Sequence, residues 1–308
     1  MREVLSEWYE KASVRSCPRR KLTNDLNVGK TVFPARLIPY LGHPALAEIE
    51  TERRAALTIK SLYQYLEFTS HIETSLVNKA ANHIATGLLP IQISDNTRLD
   101  ALKIYTDEGY HSVFSLDLIG QIERATGIRR TGTAMTDAAK YDHRRQTVAD
   151  TYLRDEAILA DLLQAVIMET AITSILKEIP RDESIVTIVR QTIADHAHDE
   201  KYHHAYFTDL FIALWTALPP PKRHQVGQSV PHLMIAVLGP RKEQVESILG
   251  SININSDKVS QIINDIYTDE YIASGVRSTA KATIRLLSRV GVFDDPVILD
   301  SFRRAMLI

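Results

Sequence analysis

The stretch Ile193–Phe207, IADHAHDEKYHHAYF, decides how the rest of the chain is read. It contains no Gly or Pro, and it spaces His196, Glu200 and His203 at i, i+4 and i+7. At about 100° per residue these side chains fall within about 60° of arc on one helix face. Two imidazoles with a carboxylate between them, all projecting the same way, make part of a transition-metal site. A second Glu-x-x-His lies upstream in DEGYH, as Glu108 and His111. The expectation is a two-iron site inside a helix bundle.

Working outward, each long segment predicts a helix. Pro44 to about Ala85 lacks Gly and internal Pro and has helical spacing, with a stop near Gly87 and Pro90. Ser94 or Asp95 caps a second helix that runs to about Gly127. The polar residues 128–149 read as a surface connection with at most a short helix. Residues 150–178 predict a third helix, apolar around most of its circumference as befits the centre of a bundle. Asp182 is the expected cap of a fourth, at about 183–217, ended by Pro219–Pro221. Beyond it the reading gives helices at about 224–238, 241–250 and 256–289, with a terminal piece after Pro296. The amphipathic VLSEWYEKASVR near the start reads as an arm lying on the core. The fold class is therefore all-α: a ferritin-like four-helix core with additional N- and C-terminal helices, spanning 1–308 as one domain.

Composition sets the outer limits. The chain is 44 % hydrophobic and 24 % charged, with a formal net charge of -2. Such a balance gives no electrostatic case for a nucleic-acid or membrane-surface partner. The one cysteine, Cys17, cannot close an internal disulfide, which suits a reducing cytoplasm. No leader-like segment is present, and no apolar run reaches the roughly 18–20 residues that cross a bilayer. A soluble, cytoplasmic protein is expected.

The two Glu-x-x-His motifs lie on the second and fourth helices, so the first and third should each add one Glu, following the pattern of carboxylate-bridged metal bundles. In the third helix Glu169 shares its face with Leu162, Ala165, Val166, Ile172, Thr173 and Leu176. A carboxylate there is costly unless a metal or partner neutralises it. In the first helix Glu73 lies among Leu62, Leu66, Leu76, Val77 and Ala80, whereas Glu67 faces Lys60, Gln64, His71 and Asn78, so Glu73 is preferred. Both motifs are preceded by an acid, Asp107 and Asp199, each placed to accept the free ring N–H of a ligating histidine. Four carboxylates would cancel the charge of two Fe(II) ions, and an oxygen–nitrogen donor set suits iron or manganese. His71, His83, His198 and His204 read as surface residues or i, i+4 partners. Tyr65, Tyr105, Tyr110 and Tyr202 read as packing or hydrogen-bonding groups.

Taken in order, Glu73, Glu108-x-x-His111, Glu169 and His196-x-x-x-Glu200-x-x-His203 resemble the metal-ligand pattern of the di-iron arylamine N-oxygenases. This is the family of p-aminobenzoate N-oxygenase of aureothin biosynthesis and its chloramphenicol-pathway relative. The third histidine, His196, separates it from ferritins, ribonucleotide reductase small subunits and bacterial hydroxylases, which ordinarily use two. The resemblance implies these seven residues as ligands and His196 as the catalytic residue that tunes the centre. It also implies two iron ions, O2 as co-substrate and an external electron donor or separate reductase. The expected substrate is an aryl or amino-acid-derived amine, free or carrier-tethered, converted to a hydroxylamine, nitroso or nitro product in natural-product biosynthesis. A homodimer is expected. Tyr65, Arg277 and Arg285 are candidate substrate contacts, with Arg98 and Lys103 as further counter-charges. The alternatives are a di-iron C–H hydroxylase or desaturase, and a non-enzymatic ferritin-like iron-binding protein.

Overall fold

The computed structural model describes residues 3–24, 26, 29–171 and 174–308. Helices dominate. Among the described residues the only β pairing is a single bridge between Thr31 and Ile185.

Two very short helices, α1 (Trp8–Lys11) and α2 (Ser13–Ser16), form the N-terminal arm. α3 (Thr51–Ile72) continues through one turn of wider i→i+5 winding at Glu73–Val77 into α4 (Asn78–Ala85). Single π turns of this kind recur where a helix must present a functional side chain; here the turn begins at Glu73. α5 (Asp95–Thr126) has the expected ends. Ser94 Oγ accepts from Thr97 N, and Gly127 closes the helix in the left-handed region at φ 72°.

α6 (Ala134–Leu153) corrects the reading of 128–149 as a connection. Its inward stripe, at steps of four, is Asp137, Tyr141, Arg145, Ala149 and Leu153. Most of that stripe is polar, so no apolar period betrays it, yet its groups are satisfied. Arg145 donates to Gln164, Tyr141 donates to the Val237 carbonyl, and Asp137 accepts from Ser247.

The third core helix, α7, is correspondingly shorter than expected: Ala157–Thr170, with Ala171 extended at ψ 142° and α8 (Ser174–Glu178) beyond it. Ile172 and Thr173, read from sequence as neighbours of Glu169, lie outside the described residues. The stretch 157–181 is, by length and composition, apolar enough to cross a membrane, contrary to the sequence reading; 73 % of its 18-residue apolar window is buried inside the protein.

α9 (Thr187–Ala217) starts later than Asp182, which instead accepts from Ser184 in the preceding turn. α10 (Pro220–Leu238) and α11 (Lys242–Ser251) follow. The expected helix at 256–289 is three: α12 (Ser256–Ile266), α13 (Asp269–Thr279) and α14 (Lys281–Arg289), before α15 (Pro296–Arg304). The Thr268 side chain caps α13, with Asp269 and Glu270 in its first turn. That start signal was hidden inside a continuous apolar period.

α3–α4, α5, α9 and α7 pack in a closed ring, each against the next, with α6 and α10 forming an outer layer on α7. Two apolar cores fill the ring. One gathers Leu62 and Leu66, Leu118 and Ile122, and Ile188 and Ile193; the other gathers Leu76 and Ala80, Ala101 and Ile104, Leu162 and Val166, and Phe207 and Leu210. Between them α3–α4, α5 and α9 each leave one core and enter the other. In that interval lie Glu73, Glu108 with His111, and the segment His196–His203. The polar layer is therefore sealed above and below by packed hydrocarbon.

Candidate metal centre

All seven residues of the sequence pattern converge in this layer, in two donor groups: Glu73, His111, His196 and Glu200; and Glu108, Glu169, Glu200 and His203. Within each group the ligand atoms lie within 4.8 Å of one another. His196 Nε2 is 3.0 Å from Glu73 Oε1 and 3.1 Å from Glu200 Oε1. Glu200 Oε1 is also 3.3 Å from His203 Nδ1 and 3.7 Å from His111 Nδ1. Glu108 divides its oxygens, Oε2 at 3.3 Å from His111 Nδ1 and Oε1 at 2.9 Å from His203 Nδ1. Glu169 Oε2 stands 3.9 Å from His203 Nδ1. Helix spacing accounts for the convergence on α9, and the ring of helices brings in the rest. Glu67 is absent from the cluster and faces Arg130 at 3.6 Å, as its wetter surroundings suggested.

Several of these atoms approach closely without bonding. His203 Nδ1 and Glu108 Oε1, despite their 2.9 Å separation, each lack a hydrogen-bond partner, as do Glu73 Oε2 and Glu169 Oε2, and all four are buried. Buried polar atoms are almost always paired. Lone pairs that crowd together yet fail to align are what a set of donors aimed at common points produces. The donor set, carboxylate oxygens with imidazole nitrogens and no thiolate, fits hard to intermediate divalent metals such as iron or manganese.

The electrostatics show how strained the grouping is. Burial, and then the charges of Glu200 and Glu108, push the Glu169 carboxyl well above its ordinary range. Burial likewise raises Glu73 to about 7, against the pull of His196. Burial works against a charged His111, yet the hydrogen bonds its ring donates to Asp199 and Glu108 prevail and carry it up to about 9. His196 and His203 are also raised against burial, by Glu73 with Glu200 and by Glu108 with Glu200 respectively. A cluster this perturbed, largely buried, marks a candidate functional site.

Asp107 and Asp199 each hold a histidine, but the one on the opposite helix. Asp107 Oδ2, on α5, is 3.0 Å from His203 Nε2 on α9, and Asp199 Oδ2, on α9, is 3.3 Å from His111 Nε2 on α5. A carboxylate there favours the proton on Nε2 and leaves Nδ1 facing the cluster.

One cavity borders the layer, and a second lies among α3, α11 and α13. The first, about 540 Å³, has Glu169 and Glu200 in its wall, with Lys177, Arg181 and Lys201 around it. The other, about 300 Å³, is lined by Tyr40, Tyr65, Tyr267, Tyr271 and Arg241 among others. Tyr65, in the wall of this second cavity, lies on α3, the helix that leads into Glu73. The cations read from sequence as substrate contacts lie elsewhere. Arg277 is exposed and donates to the Met306 carbonyl, Arg98 donates to the Ala85 carbonyl, and Lys103 is buried against Asp100 and the Leu5 carbonyl. Arg285 is exposed on α14. Arg241, in the wall of the second cavity, was not among the cations read from sequence. Its guanidinium stacks over Phe68 at 3.5 Å and donates to Gln244, and among the described residues no carboxylate pairs with it. Burial lowers it to about 10, so it stays charged at neutral pH. No local pattern in GPRKE signals this, because the missing partner is a tertiary fact.

A ring of long helices around a buried layer of carboxylates and imidazoles defines an all-α bundle with a candidate binuclear metal centre. A sequence model of the family described as p-aminobenzoate N-oxygenase AurF matches residues 20–291, and the chain belongs to that family. A 4-aminobenzoate N-oxygenase from Streptomyces thioluteus is similar to it, 21 % identical over 253 residues, which cover 82 % of this chain and 71 % of the relative. The protein is therefore an enzyme of the oxygenase class, and its family's chemistry is the N-oxygenation of aryl amines.

Proposed function

We propose that the enzyme inserts oxygen from O2 into the N–H bond of a primary aryl amine, using two iron ions held by Glu73, Glu108, His111, Glu169, His196, Glu200 and His203. The observation that carries this reading is the set of buried donor atoms crowded together without hydrogen bonds, His203 Nδ1 and Glu108 Oε1 foremost. The metals would supply O2 binding and reduction. For the first step the balance is one amine, one O2, two electrons and two protons giving one hydroxylamine and one water. An external donor supplies the electrons, and repetition of the step leads toward nitroso and nitro products.

The residues of this chain do the rest. Asp107 and Asp199 hold the imidazoles in one tautomer, and the apolar cores above and below exclude water. The tyrosine-lined cavity would seat the aromatic ring, since Phe33, Tyr40, Tyr65, Tyr267 and Tyr271 offer aromatic faces beside polar groups such as Gln64 and Arg241. Its one unpaired cation, Arg241, would receive an anionic substituent at the end of the substrate away from the nitrogen.

The chain is read as one functional domain of the cytoplasm and as a homodimer. An exposed apolar stripe along α5, formed by Leu99, Leu102, Tyr105, Tyr110, Val113 and Leu116, is the face that would be covered. A monomer by sedimentation contradicts that last point. The reaction itself is tested by giving iron-loaded, reduced protein ¹⁸O2 with aryl amines bearing or lacking a carboxylate, and with aliphatic amino acids. Mass spectrometry should show ¹⁸O on nitrogen for an aryl amine. Label on carbon alone, or no label in any amine, contradicts the proposal.

A further inference from the structure

The N-terminal arm runs along the seam between α5 and α9, on the outside of the polar layer. It is pinned alternately to the two helices: Lys103 Nζ donates to the Leu5 carbonyl at 2.9 Å, Arg20 forms a paired contact with Asp195, and Leu22 N donates to Gln121. Two of its contacts fall directly behind the histidines. Trp8 Nε1 donates to Asp107 Oδ1 at 2.8 Å, and Ser13 N donates to Asp199 Oδ1 at 2.7 Å. Each aspartate thus uses one oxygen for the arm and the other for a ring nitrogen, Asp107 for His203 and Asp199 for His111.

We propose that the arm is a positioning device for the metal centre, in which Trp8 and the Ser13 amide orient Asp107 and Asp199 and, through them, His203 and His111. This inference rests on the metal reading of the cluster. Its physical basis is geometric. A carboxylate held only by the histidine it must orient can rotate with that histidine, whereas one fixed by a second donor gives the ring a stationary partner. His203 belongs to one donor group and His111 to the other, so the two relays act on different metal positions. Binding energy is reciprocal, so metal in the layer must in turn hold the arm in place.

Trp8→Phe removes one donor and little else, whereas Ser13→Pro removes the other and also displaces Asp199 Oδ1, which lies 2.7 Å from the amide nitrogen. Trp8→Phe deletes the indole N–H and keeps an aromatic ring. Ser13→Pro deletes the amide at the first position of α2, where proline's geometry is accommodated. The residue before it, Ala12, already has the extended conformation proline requires, at φ -59° and ψ 130°.

The test is an anaerobic Co(II) titration of chelator-stripped wild type, Trp8→Phe, Ser13→Pro and the double variant, followed by optical absorption. Loss of a direct carboxylate partner costs roughly 10–100-fold in metal affinity. Each single variant should therefore bind one equivalent about fivefold or more weakly with the other unchanged, and the double variant should bind both weakly. Amide hydrogen exchange on the unmodified protein gives an independent reading. Metal should slow exchange across residues 5–17 severalfold, whether or not a variant folds poorly. Variants that titrate like wild type, or an arm whose exchange ignores the metal, overturn the positioning role while leaving the metal centre intact. A wild type that takes up no metal overturns both.

Discussion

Glu200→Ala should abolish metal binding at both positions and lower the oxygenation rate by more than about a thousandfold. Among the described residues Glu200 alone belongs to both donor groups, and its Oε1 faces all three imidazoles at 3.1, 3.3 and 3.7 Å. Removal of any other member leaves one group complete. The fold should survive, because the two apolar cores that seal the layer are untouched. Stability measurements separate the effects. At free metal a hundredfold above the dissociation constant, a site that binds only the native state adds about 2.7 kcal/mol. Metal should raise the unfolding free energy of wild type by at least that much and leave Glu200→Ala unchanged. A variant that still gains stability on adding metal would show that the donors are shared differently.

Arg241→Gln should raise the dissociation constant, and lower kcat/KM, for an anionic aryl amine by about 10–100-fold, with a neutral aryl amine nearly unaffected. The range corresponds to the roughly 1.5–3 kcal/mol of a hydrogen bond to a charged group. Stability should hold or rise, because a half-buried cation without a carboxylate is costly to the folded state. Binding of a non-oxidisable aromatic acid to metal-free protein measures the effect without turnover. Equal loss for the acid and its neutral amide would assign Arg241 to packing on Phe68 instead.

The parts of the site that the sequence exposed are those governed by local geometry. His196, Glu200 and His203 share a helix face because of the helical period, and Glu73 was separable from Glu67 by the apolar neighbours that later proved to bury it. What stayed hidden depends on how helices meet. That Asp107 serves His203 and Asp199 serves His111 follows from the α5–α9 crossing, and a single helix cannot report it. α6 escaped because its buried stripe is polar and satisfied by distant groups. The division of 256–289 escaped because Thr268 caps a helix inside an unbroken apolar pattern. Arg241 carries no sequence signal at all, since its significance is the carboxylate it lacks.

The central claim is that carboxylates and imidazoles from separate helices hold two metal ions in the polar layer between the two cores. An anaerobic Fe(II) titration of chelator-stripped wild-type protein, followed by calorimetry and metal analysis of the desalted product, tests it most directly. The structure predicts uptake of two equivalents per chain; saturation at one equivalent, or iron lost entirely on desalting, would contradict it.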